Sequence, residues 1–323
     1  MSEKVLEVKN LKKYFPLKGG MFGKTIGHVK ATDDVSFYLE KGKTLSLVGE
    51  SGCGKSTTGR TLLRLHEPTS GEIYYKGKNL ITASKKEMIE IRKEMQIIFQ
   101  DPYSSLNTRM TVGQTIGEPI IAHKIMKKGK ELDERINELI EKCGLAKYHV
   151  NRYPHQFSGG QRQRIGIARS LALNPSFIVA DEPVSALDVS IQSQIINLMM
   201  ELQEDMGLSY LFISHDLSVV KHISDRVGVM YLGSLVEIAD KKSFYENPKH
   251  PYSQALLSAI PVPNPKMKNK IILLNGDIPS NVNPPSGCKF HTRCLYAENI
   301  CKELKPEFRK IGVDHYVACH LTK

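Results

Sequence analysis

Glycine, lysine and hydroxyl side chains recur at the spacing of a phosphate-binding loop between residues 49 and 56. The segment reads GESGCGKS and matches the pattern G-x-x-x-x-G-K-[ST]. A short apolar run at residues 44–48 precedes it, and the leucines of TTGRTLLRL follow it at helical spacing. A strand, a glycine loop and a helix in this order direct backbone N–H groups toward an anion. The segment therefore predicts a nucleotide phosphate site, because a chance glycine-rich turn lacks these flanking elements.

Each residue type in the loop has its own task in this interpretation. The glycines leave room for the backbone to fold around phosphate groups. Lys55 is expected to reach the β- and γ-phosphates of the nucleotide, and Ser56 to bind Mg²⁺ through its hydroxyl. Cys53 is interpreted as a packing residue that shapes the loop. The residues of the loop expected to bind nucleotide are Gly49, Glu50, Ser51, Gly52, Cys53, Gly54, Lys55, Ser56 and Thr57.

Two carboxylates close a second apolar run, FIVADE at residues 177–182. An acidic side chain at the carboxyl end of a buried parallel strand faces the crevice where ligands bind. Asp181 is expected to hold Mg²⁺, directly or through water, and Glu182 to polarise the attacking water as general base. A pair of carboxylates that merely ends a strand is the simpler interpretation, and the presence of Lys55 argues against it.

The segment FSGGQ, residues 157–161, lies directly before the predicted helix QRQRIGIARSLAL. Ser158 is predicted to be the N-cap of this helix. Its hydroxyl and the N–H groups of Gly159, Gly160 and Gln161 form a second predicted anion site. One ATP already has Lys55 and its loop, so this second site is expected to serve the γ-phosphate of a nucleotide on a neighbouring molecule.

These three segments, in this order, resemble those of the ATP-binding subunits of ABC transporters, with Phe157 in place of the commoner leucine. Gln100 in IIFQDP resembles the Q-loop glutamine of that family. Asp188 in SALD resembles the D-loop aspartate, and His215 in FISHDL resembles the switch histidine. Taken singly, Gln100 would be an ordinary surface amide and His215 a core histidine. Six matches in the correct order argue against those interpretations.

The resemblance also implies roles for these residues. Gln100 and His215 join Glu182 as catalytic residues, and Asp188 lies near the nucleotide. Phe15 in LKKYF is expected to stack on adenine, with the neighbouring Tyr14 as a possible substitute. The implied Mg²⁺ ligands are Ser56, Gln100 and Asp181.

The resemblance implies an α/β fold with a RecA-like P-loop ATPase core and an N-terminal antiparallel β part. Residues 1–250 are predicted to form the ABC ATPase domain, with a helical subdomain at about 101–170. Residues 251–323 are predicted to form a small cysteine-rich, metal-binding extension. The motif trio occurs once, so the chain is one cassette, and a signature that acts on a neighbour predicts a dimer.

Local patterns predict several elements within this frame. Apolar residues at helical spacing predict a helix over 132–143 that ends at Gly144. A second amphipathic helix is predicted to end near Gly207. The run from Val227 to Ile238 predicts a terminal hairpin with its turn at Gly233.

Prolines crowd the chain after about residue 248 and predict neither a regular helix nor a central strand there. The segment HPYSQALLSAIP, residues 250–261, resembles the one that follows the cassette in oligopeptide, dipeptide and nickel transporter ATPases. Members of that group carry varied substrates, including sugars. The resemblance therefore implies the ATPase subunit of a peptide-type importer.

Four of the six cysteines lie in this tail with the spacing C-x5-C-x6-C-x17-C. They are Cys288, Cys294, Cys301 and Cys319. Four thiolates in a small proline-rich unit indicate a metal centre that replaces a hydrophobic core. Zinc and a [4Fe–4S] cluster both satisfy four thiolates. The spacing lacks the paired C-x2-C of zinc ribbons, and the resemblance implies the cluster, so [4Fe–4S] is favoured and Zn²⁺ is the alternative.

Two other interpretations of the tail stay open. Flanking histidines could replace a cysteine as ligands, although such residues more often lie beside a centre or on the surface. These are His291, His315 and His320. The third interpretation is four unligated, buried cysteines.

The net charge of +11, from 45 Lys and Arg against 34 Asp and Glu, is interpreted as solvated surface lysine, favourable near an anionic membrane. No stretch approaches the ~20 apolar residues that span a bilayer, and the first residues lack the apolar core of a signal peptide. We therefore expect a peripheral protein at the cytoplasmic face of the cell membrane.

The expected function is ATP hydrolysis that powers import of di- or oligopeptides. The expected partners are a second ABC ATPase subunit, identical or different, a transmembrane permease and, indirectly, an extracytoplasmic substrate-binding protein, with no nucleic acid. The alternatives are a sugar or nickel importer, an exporter, and a soluble ABC ATPase acting on ribosomes or nucleic acid. The last class usually carries tandem cassettes or a long coiled-coil insertion, and neither occurs in this sequence.

Overall fold

The computed structural model describes residues 3–19, 23–261 and 271–322. The strands are β1 (Lys4–Gly19), β2 (Lys24–Glu40), β3 (Thr44–Val48), β4 (Ser70–Tyr75), β5 (Lys78–Asn79), β6 (Met95–Ile98), β7 (Phe177–Asp181), β8 (Ser209–Ile213), β9 (Arg226–Tyr231), β10 (Ser234–Asp240), β11 (Arg309–Gly312) and β12 (His315–Val317). The helices are α1 (Lys55–Leu62), α2 (Lys85–Glu94), α3 (Val112–Ala122), α4 (Lys130–Lys142), α5 (Gly159–Leu171), α6 (Val189–Met206), α7 (Leu217–Ile223), α8 (Lys241–Glu246), α9 (Pro251–Ser258) and α10 (Asn299–Glu303). Two 3₁₀ helices, Lys147–Asn151 and Pro154–Gln156, lie between α4 and α5.

The chain divides into two compact units. The first contains Met1–Val5, Glu40–Lys43 and Thr82–Ile213, and the second contains Leu6–Leu39, Thr44–Ile81 and Ser214–Lys323. The phosphate loop and the C-terminal segment, residues 251–323, therefore belong to the same unit. The domain boundary expected near residue 250 stays a prediction.

The first unit has a parallel sheet in which β7 lies between β6 and β8. Every residue of β7 and β8 is buried, as expected for parallel strands covered on both faces. Helices α3, α4 and α5 pack against one another beside it. Helix α4 buries its apolar face, and Gly144 follows it with a φ of 70°, as the sequence pattern predicts. Helix α6 ends at Gly207, which has a φ of 64° and confirms the second helix boundary.

The second unit begins with an antiparallel sheet in the order β2-β1-β4-β5, which confirms the predicted N-terminal β part. Strand β3, which leads into the phosphate loop, pairs in parallel with β9. Strands β9 and β10 form the predicted hairpin, with Gly233 in its turn at a φ of 80°. Strand β12 then pairs with β10, and β11 with β12, so the end of the chain extends the same sheet.

The prediction that the proline-rich stretch holds no regular helix is wrong at Pro251–Ser258, which forms α9. Pro251 is the first residue of this helix, and a proline is favourable there because a first-turn residue needs no intrahelical N–H donor. His250 is the N-cap, and its Nδ1 accepts a hydrogen bond from the Tyr252 N–H at 3.1 Å. Pro251 thus begins a helix in a stretch whose many prolines predict none.

A buried carboxylate joins α9 and β12 to β10. Glu237 of β10 is completely buried and accepts hydrogen bonds from the N–H groups of Lys249 and His250, at 2.8 and 2.9 Å. His315 of β12 donates its Nε2 proton to the same carboxylate at 2.7 Å. Burial alone would raise the pKa of Glu237, but these hydrogen bonds hold it below its usual value. Full burial lowers the pKa of His250 to about 4.

Acid is expected to destabilise the protein as the pH falls from about 6.5 toward 4. In this window the unfolded chain protonates His250 while the folded chain keeps it neutral, because its folded pKa is about 4 against an ordinary value of 6.5. The unfolded state then binds more protons, so the free energy of unfolding falls with the pH. Melting temperatures measured from pH 7.5 to 4.5 should fall less steeply in His250→Gln than in wild type.

The exposed His222 provides the matched control for this comparison. His222→Gln should keep the wild-type slope of melting temperature against pH. Equal slopes in wild type, His250→Gln and His222→Gln would contradict the assignment to His250.

Candidate functional site

The phosphate loop follows β3 and ends in α1, as the sequence predicts. Three of its glycines have positive φ angles, 146° at Gly49, 77° at Gly52 and 103° at Gly54. A β-carbon on Gly54 would lie 1.9 Å from the carbonyl oxygen of Ala31, and one on Gly49 would lie 2.3 Å from that of Met230. Backbone atoms cannot yield at such distances, so the loop depends on glycine at both positions.

The Lys55 side chain is folded into this loop and is 4% exposed. Its Nζ donates to the carbonyl oxygens of Gly49 and Glu50 at 2.8 and 3.1 Å. Gly54 is the N-cap of α1 and has no side chain to cap the first turn. A buried ammonium therefore lies beside a helix N-terminus, an arrangement suited to an anion.

Cys53 lies beside the ammonium and is also buried, at 4% exposure. Its Sγ lies 3.8 Å from Lys55 Nζ. Burial raises the pKa of the Cys53 thiol, and the nearby Lys55 offsets only part of that effect. The thiol is thus neutral and packed, in agreement with the interpretation of Cys53 as a residue that shapes the loop.

The first unit brings two of the predicted catalytic residues together. Gln100 Nε2 donates to Glu182 Oε2 at 3.0 Å. Glu182 directly follows the buried Asp181 and has a φ of 46°, in the left-handed region that costs a non-glycine residue about 1–3 kcal/mol. Its N–H donates to the Ile213 carbonyl at 3.0 Å, and its carbonyl accepts from Ser185 Oγ at 3.1 Å. These contacts hold the strained backbone in place.

Ser158 is the N-cap of α5, as the sequence predicts. Its Oγ accepts from the Gln161 N–H at 3.4 Å, and Gln161 Oε1 accepts from the Ser158 N–H at 3.1 Å. A β-carbon on Gly160 would lie 2.5 Å from Cγ2 of Ile191 in α6, so the close approach of the two helices requires this glycine. The capping is confirmed, and the role of the segment as a second anion site stays a prediction.

The remaining predicted nucleotide contacts lie at the edges of their elements. The Tyr14 hydroxyl donates to Asp33, while the Phe15 ring meets His66 edge-on, with ring centroids 5.4 Å apart, and has Lys13 Nζ 4.7 Å from its centroid. The choice of Phe15, or Tyr14 in its place, as the residue that stacks on adenine stays a prediction. Two others are exposed: Asp188 at the N-cap of α6 and His215 between β8 and α7.

The four tail cysteines lie near one another. The Cys288 N–H donates to the Cys301 carbonyl at 2.8 Å. Burial, together with the neighbouring thiols of Cys301, Cys319 and Cys294, raises the pKa of Cys288 to about 11. All six cysteines are free thiols. Across residues 3–19, 23–261 and 271–322, no three His, Cys, Asp or Glu side chains are grouped to hold a metal ion.

Each of the three flanking histidines already has a hydrogen-bond partner. His315 Nε2 donates to Glu237, His291 Nδ1 lies 2.9 Å from the carbonyl oxygen of Cys288, and His320 Nε2 lies 2.8 Å from that of Leu304.

Three residues that the sequence analysis did not single out contact the phosphate loop. They are Tyr252, Asn281 and Arg293 of the C-terminal segment. Each lies about 200 or more residues from the loop along the chain, and isolated tyrosine, asparagine and arginine residues form no recognisable pattern. Only the resemblance of residues 250–261 to a transporter tail pointed to this region.

Comparisons with known proteins agree with the motifs. Residues 32–185 match the family model described as ABC transporter, and residues 236–301 match the model of the oligopeptide/dipeptide transporter C-terminal region. The chain is 56% identical to the oligopeptide transport ATP-binding protein AppF of Bacillus subtilis, over 99% of this chain and 98% of that protein. It is 50% identical to the dipeptide transport ATP-binding protein DppF of Escherichia coli, over 99% and 95% of the two chains.

Solved structures resemble the fold. The dimeric ATP-binding cassette MJ0796, in a post-hydrolysis state bound to ADP and Pi, aligns with a TM-score of 0.65 at 29% identity, over 73% of this chain and 98% of that one. CbiO1 from Clostridium perfringens, part of the ABC transporter complex cbiONQ, aligns with a TM-score of 0.64 at 26% identity, over 76% and 93%. No helix among the described residues is long and apolar enough to cross a membrane. The chain belongs to the ATP-binding subunits of ABC transporters, in the oligopeptide and dipeptide transporter group.

Proposed function

We propose that this chain hydrolyses ATP to power the import of oligopeptides or dipeptides through a membrane permease. The observation that carries the proposal is the glycine loop around the buried Lys55. It occurs in a chain that is about half identical, over nearly its whole length, to ATP-binding proteins of oligopeptide and dipeptide transport. Nothing in the described residues favours a sugar, nickel or ribosomal role over this one.

The phosphate loop binds the triphosphate of ATP in this proposal. Lys55 exchanges its contacts with the carbonyls of Gly49 and Glu50 for oxygens of the β- and γ-phosphates. The backbone N–H groups from Ser51 to Thr57 face the phosphates at the start of α1. Phe15 stacks on the adenine through its half-buried ring.

Hydrolysis depends on a small set of polar side chains. Glu182 accepts the proton of the attacking water, and the Gln100 amide orients its carboxylate through the hydrogen bond at 3.0 Å. His215 contacts the γ-phosphate. Mg²⁺ offsets the charge of the phosphates when it is bound, with hydroxyl, carboxylate and amide oxygens of the types that it prefers. The proposed ligands are Ser56, Asp181 and Gln100.

The catalytic unit is a dimer in this proposal, either of two identical chains or of this chain with a related one. Each ATP lies between the phosphate loop of one subunit and the FSGGQ segment of the other, and Asp188 lies near the shared nucleotide. The dimeric cassette with ADP and Pi supports this arrangement. Binding of the shared nucleotide shifts the population toward the closed dimer, and hydrolysis reopens it.

Transport requires further partners. The region of Gln100 and the helices at about 101–170 transmit the conformational change of dimer closure to a permease. An extracytoplasmic binding protein delivers the peptide to that permease. The chain works at the cytoplasmic face of the membrane, where its net charge of +11 is favourable beside anionic lipid.

The general-base assignment predicts the behaviour of Glu182→Gln. The variant should bind MgATP like wild type, because the amide keeps the shape of the side chain, but hydrolysis should fall at least ~100-fold. In proteoliposomes with the second ATPase subunit and the permease, uptake of labelled oligopeptide should fall by the same factor. Glu204→Gln, at an exposed position of α6, is the matched control and should change neither rate.

Two results would contradict these proposals separately. Wild-type hydrolysis in Glu182→Gln would show that another group is the base. ATP-dependent uptake of a sugar or nickel in place of peptide, or sedimentation with ribosomes in place of the permease, would overturn the proposed transport function.

We also propose a [4Fe–4S] cluster at the four tail cysteines, with Zn²⁺ as the alternative. The support is the proximity of four thiols in one segment, with the backbone of Cys288 bonded to that of Cys301. The cluster would replace an apolar core in this part of the chain.

Metal analysis of protein purified without oxygen checks the cluster. We expect about four irons per chain and a broad visible absorption, both lost in Cys301→Ser. Cys143→Ser, which removes a buried thiol of α4's C-cap in the other unit, should retain the iron. One zinc per chain without visible absorption would show a zinc site in place of the cluster. The absence of both metals would favour four unligated cysteines.

A further inference from the structure

An ion pair connects the C-terminal segment to the phosphate loop. Arg293 donates from Nη1 to Glu50 Oε2 at 2.6 Å and from Nη2 to Glu50 Oε1 at 3.0 Å. The arginine side chain is 8% exposed and the glutamate side chain 25%. Bidentate, charge-assisted pairs are stronger than neutral hydrogen bonds and fix the relative orientation of the two groups. Arg293 therefore fixes the side chain of the second residue of the loop.

Two neutral contacts hold the loop backbone from the same side. The Glu50 N–H donates to the Tyr252 hydroxyl at 2.9 Å. Asn281 Nδ2 donates to the Gly52 carbonyl oxygen at 2.9 Å. The Asn281 carbonyl in turn accepts from the Lys30 N–H at 3.1 Å, which fixes the asparagine itself. Two peptide groups of the loop are thus oriented by residues of the C-terminal segment.

Aromatic packing holds the part of the C-terminal segment that makes these contacts. Tyr252 is completely buried, and its ring packs against Tyr231 and Phe290 with centroids 4.8 and 5.3 Å apart. Phe290 lies three residues before Arg293 and is also buried. The segment therefore presents its polar groups to the loop from a packed aromatic cluster.

These contacts bear on the groups that meet a phosphate. Lys55 Nζ is held by the carbonyls of Gly49 and Glu50, so the orientation of the Glu50 peptide groups sets the position of the ammonium. The Glu50 carboxylate also places a negative charge within a loop that binds an anion, and Arg293 neutralises it. Without the guanidinium, that charge would repel the phosphates of ATP.

We propose that Arg293, Tyr252 and Asn281 are positioning residues of the ATP site, which hold the phosphate loop in its binding shape and neutralise Glu50. The C-terminal segment is then part of the nucleotide site rather than an appendage to it. This inference rests on the proposed binding of ATP by the loop.

The experiment measures the Kd for MgATP by displacement of a fluorescent ATP analogue, with KM, kcat and the melting temperature, on the full chain. Arg293→Gln should raise Kd and KM about tenfold, because it removes a charged hydrogen-bond donor and exposes the loop to the Glu50 charge. The value of kcat should change little, because the variant leaves Glu182 and Gln100 untouched. Tyr252→Phe, which deletes only the hydroxyl, should raise Kd roughly threefold.

The double variant Glu50→Gln/Arg293→Gln tests the pairing itself. Removing the carboxylate should restore most of the affinity lost in Arg293→Gln, because the two residues act as one unit. Lys305→Gln is the matched control in the same segment. Lys305 pairs with Asp34 at 2.7 Å in a more exposed ion pair that does not touch the loop, so its loss should leave Kd unchanged.

A purely structural role would lower the melting temperature of Arg293→Gln and leave Kd and KM at their wild-type values, and that result would overturn the inference. If Arg293→Gln failed to fold, the test would pass to Tyr252→Phe. A wild-type Kd for MgATP in that variant would also overturn the inference. Failure of the wild-type chain to bind ATP would instead reject the proposed function, so the two failures are distinguishable.

Discussion

The nucleotide site depends on one constraint, which is the burial of the Lys55 ammonium against two carbonyl oxygens of the phosphate loop. Lys55 has almost no exposed surface, and a charge so placed is tolerated only with polar partners. The carbonyls of Gly49 and Glu50 supply them. Gly49 and Gly54 have φ angles that only glycine adopts readily, and β-carbons there would strike the carbonyls of neighbouring strands. The loop that surrounds the ammonium therefore requires glycine at both positions.

Glu50 connects this ammonium to the end of the chain. Its carbonyl holds Lys55, its N–H reaches Tyr252, and its carboxylate is paired with Arg293. Arg293 directly precedes Cys294, so the cysteine-rich part of the chain is joined to the phosphate loop by one covalent step and one ion pair. The buried Glu237 and the strands β11 and β12 fasten the same segment to the sheet.

The other unit holds the carboxylate that we propose as general base in a different way. Glu182 has a strained backbone, and the contacts of its N–H and carbonyl hold that strain where the buried strand β7 ends. Gln100 reaches the carboxylate from the segment after β6, which lies beside β7 in the parallel sheet. Adjacent parallel strands thus bring together two side chains that are 82 residues apart along the chain.

The sequence by itself determined the features that depend on neighbouring residues: the glycine loop between strand and helix, the Ser158 cap, the hairpin at Gly233 and the helix ends at Gly144 and Gly207. Backbone φ preferences, capping and hydrophobic period act over a few residues and leave a readable pattern. Only the tertiary structure decided the pairing of Glu50 with Arg293, 243 residues apart, and the hydrogen bond of the Tyr14 hydroxyl to Asp33. Such contacts depend on which strands become neighbours, and a single arginine or tyrosine carries no local signal of its distant partner.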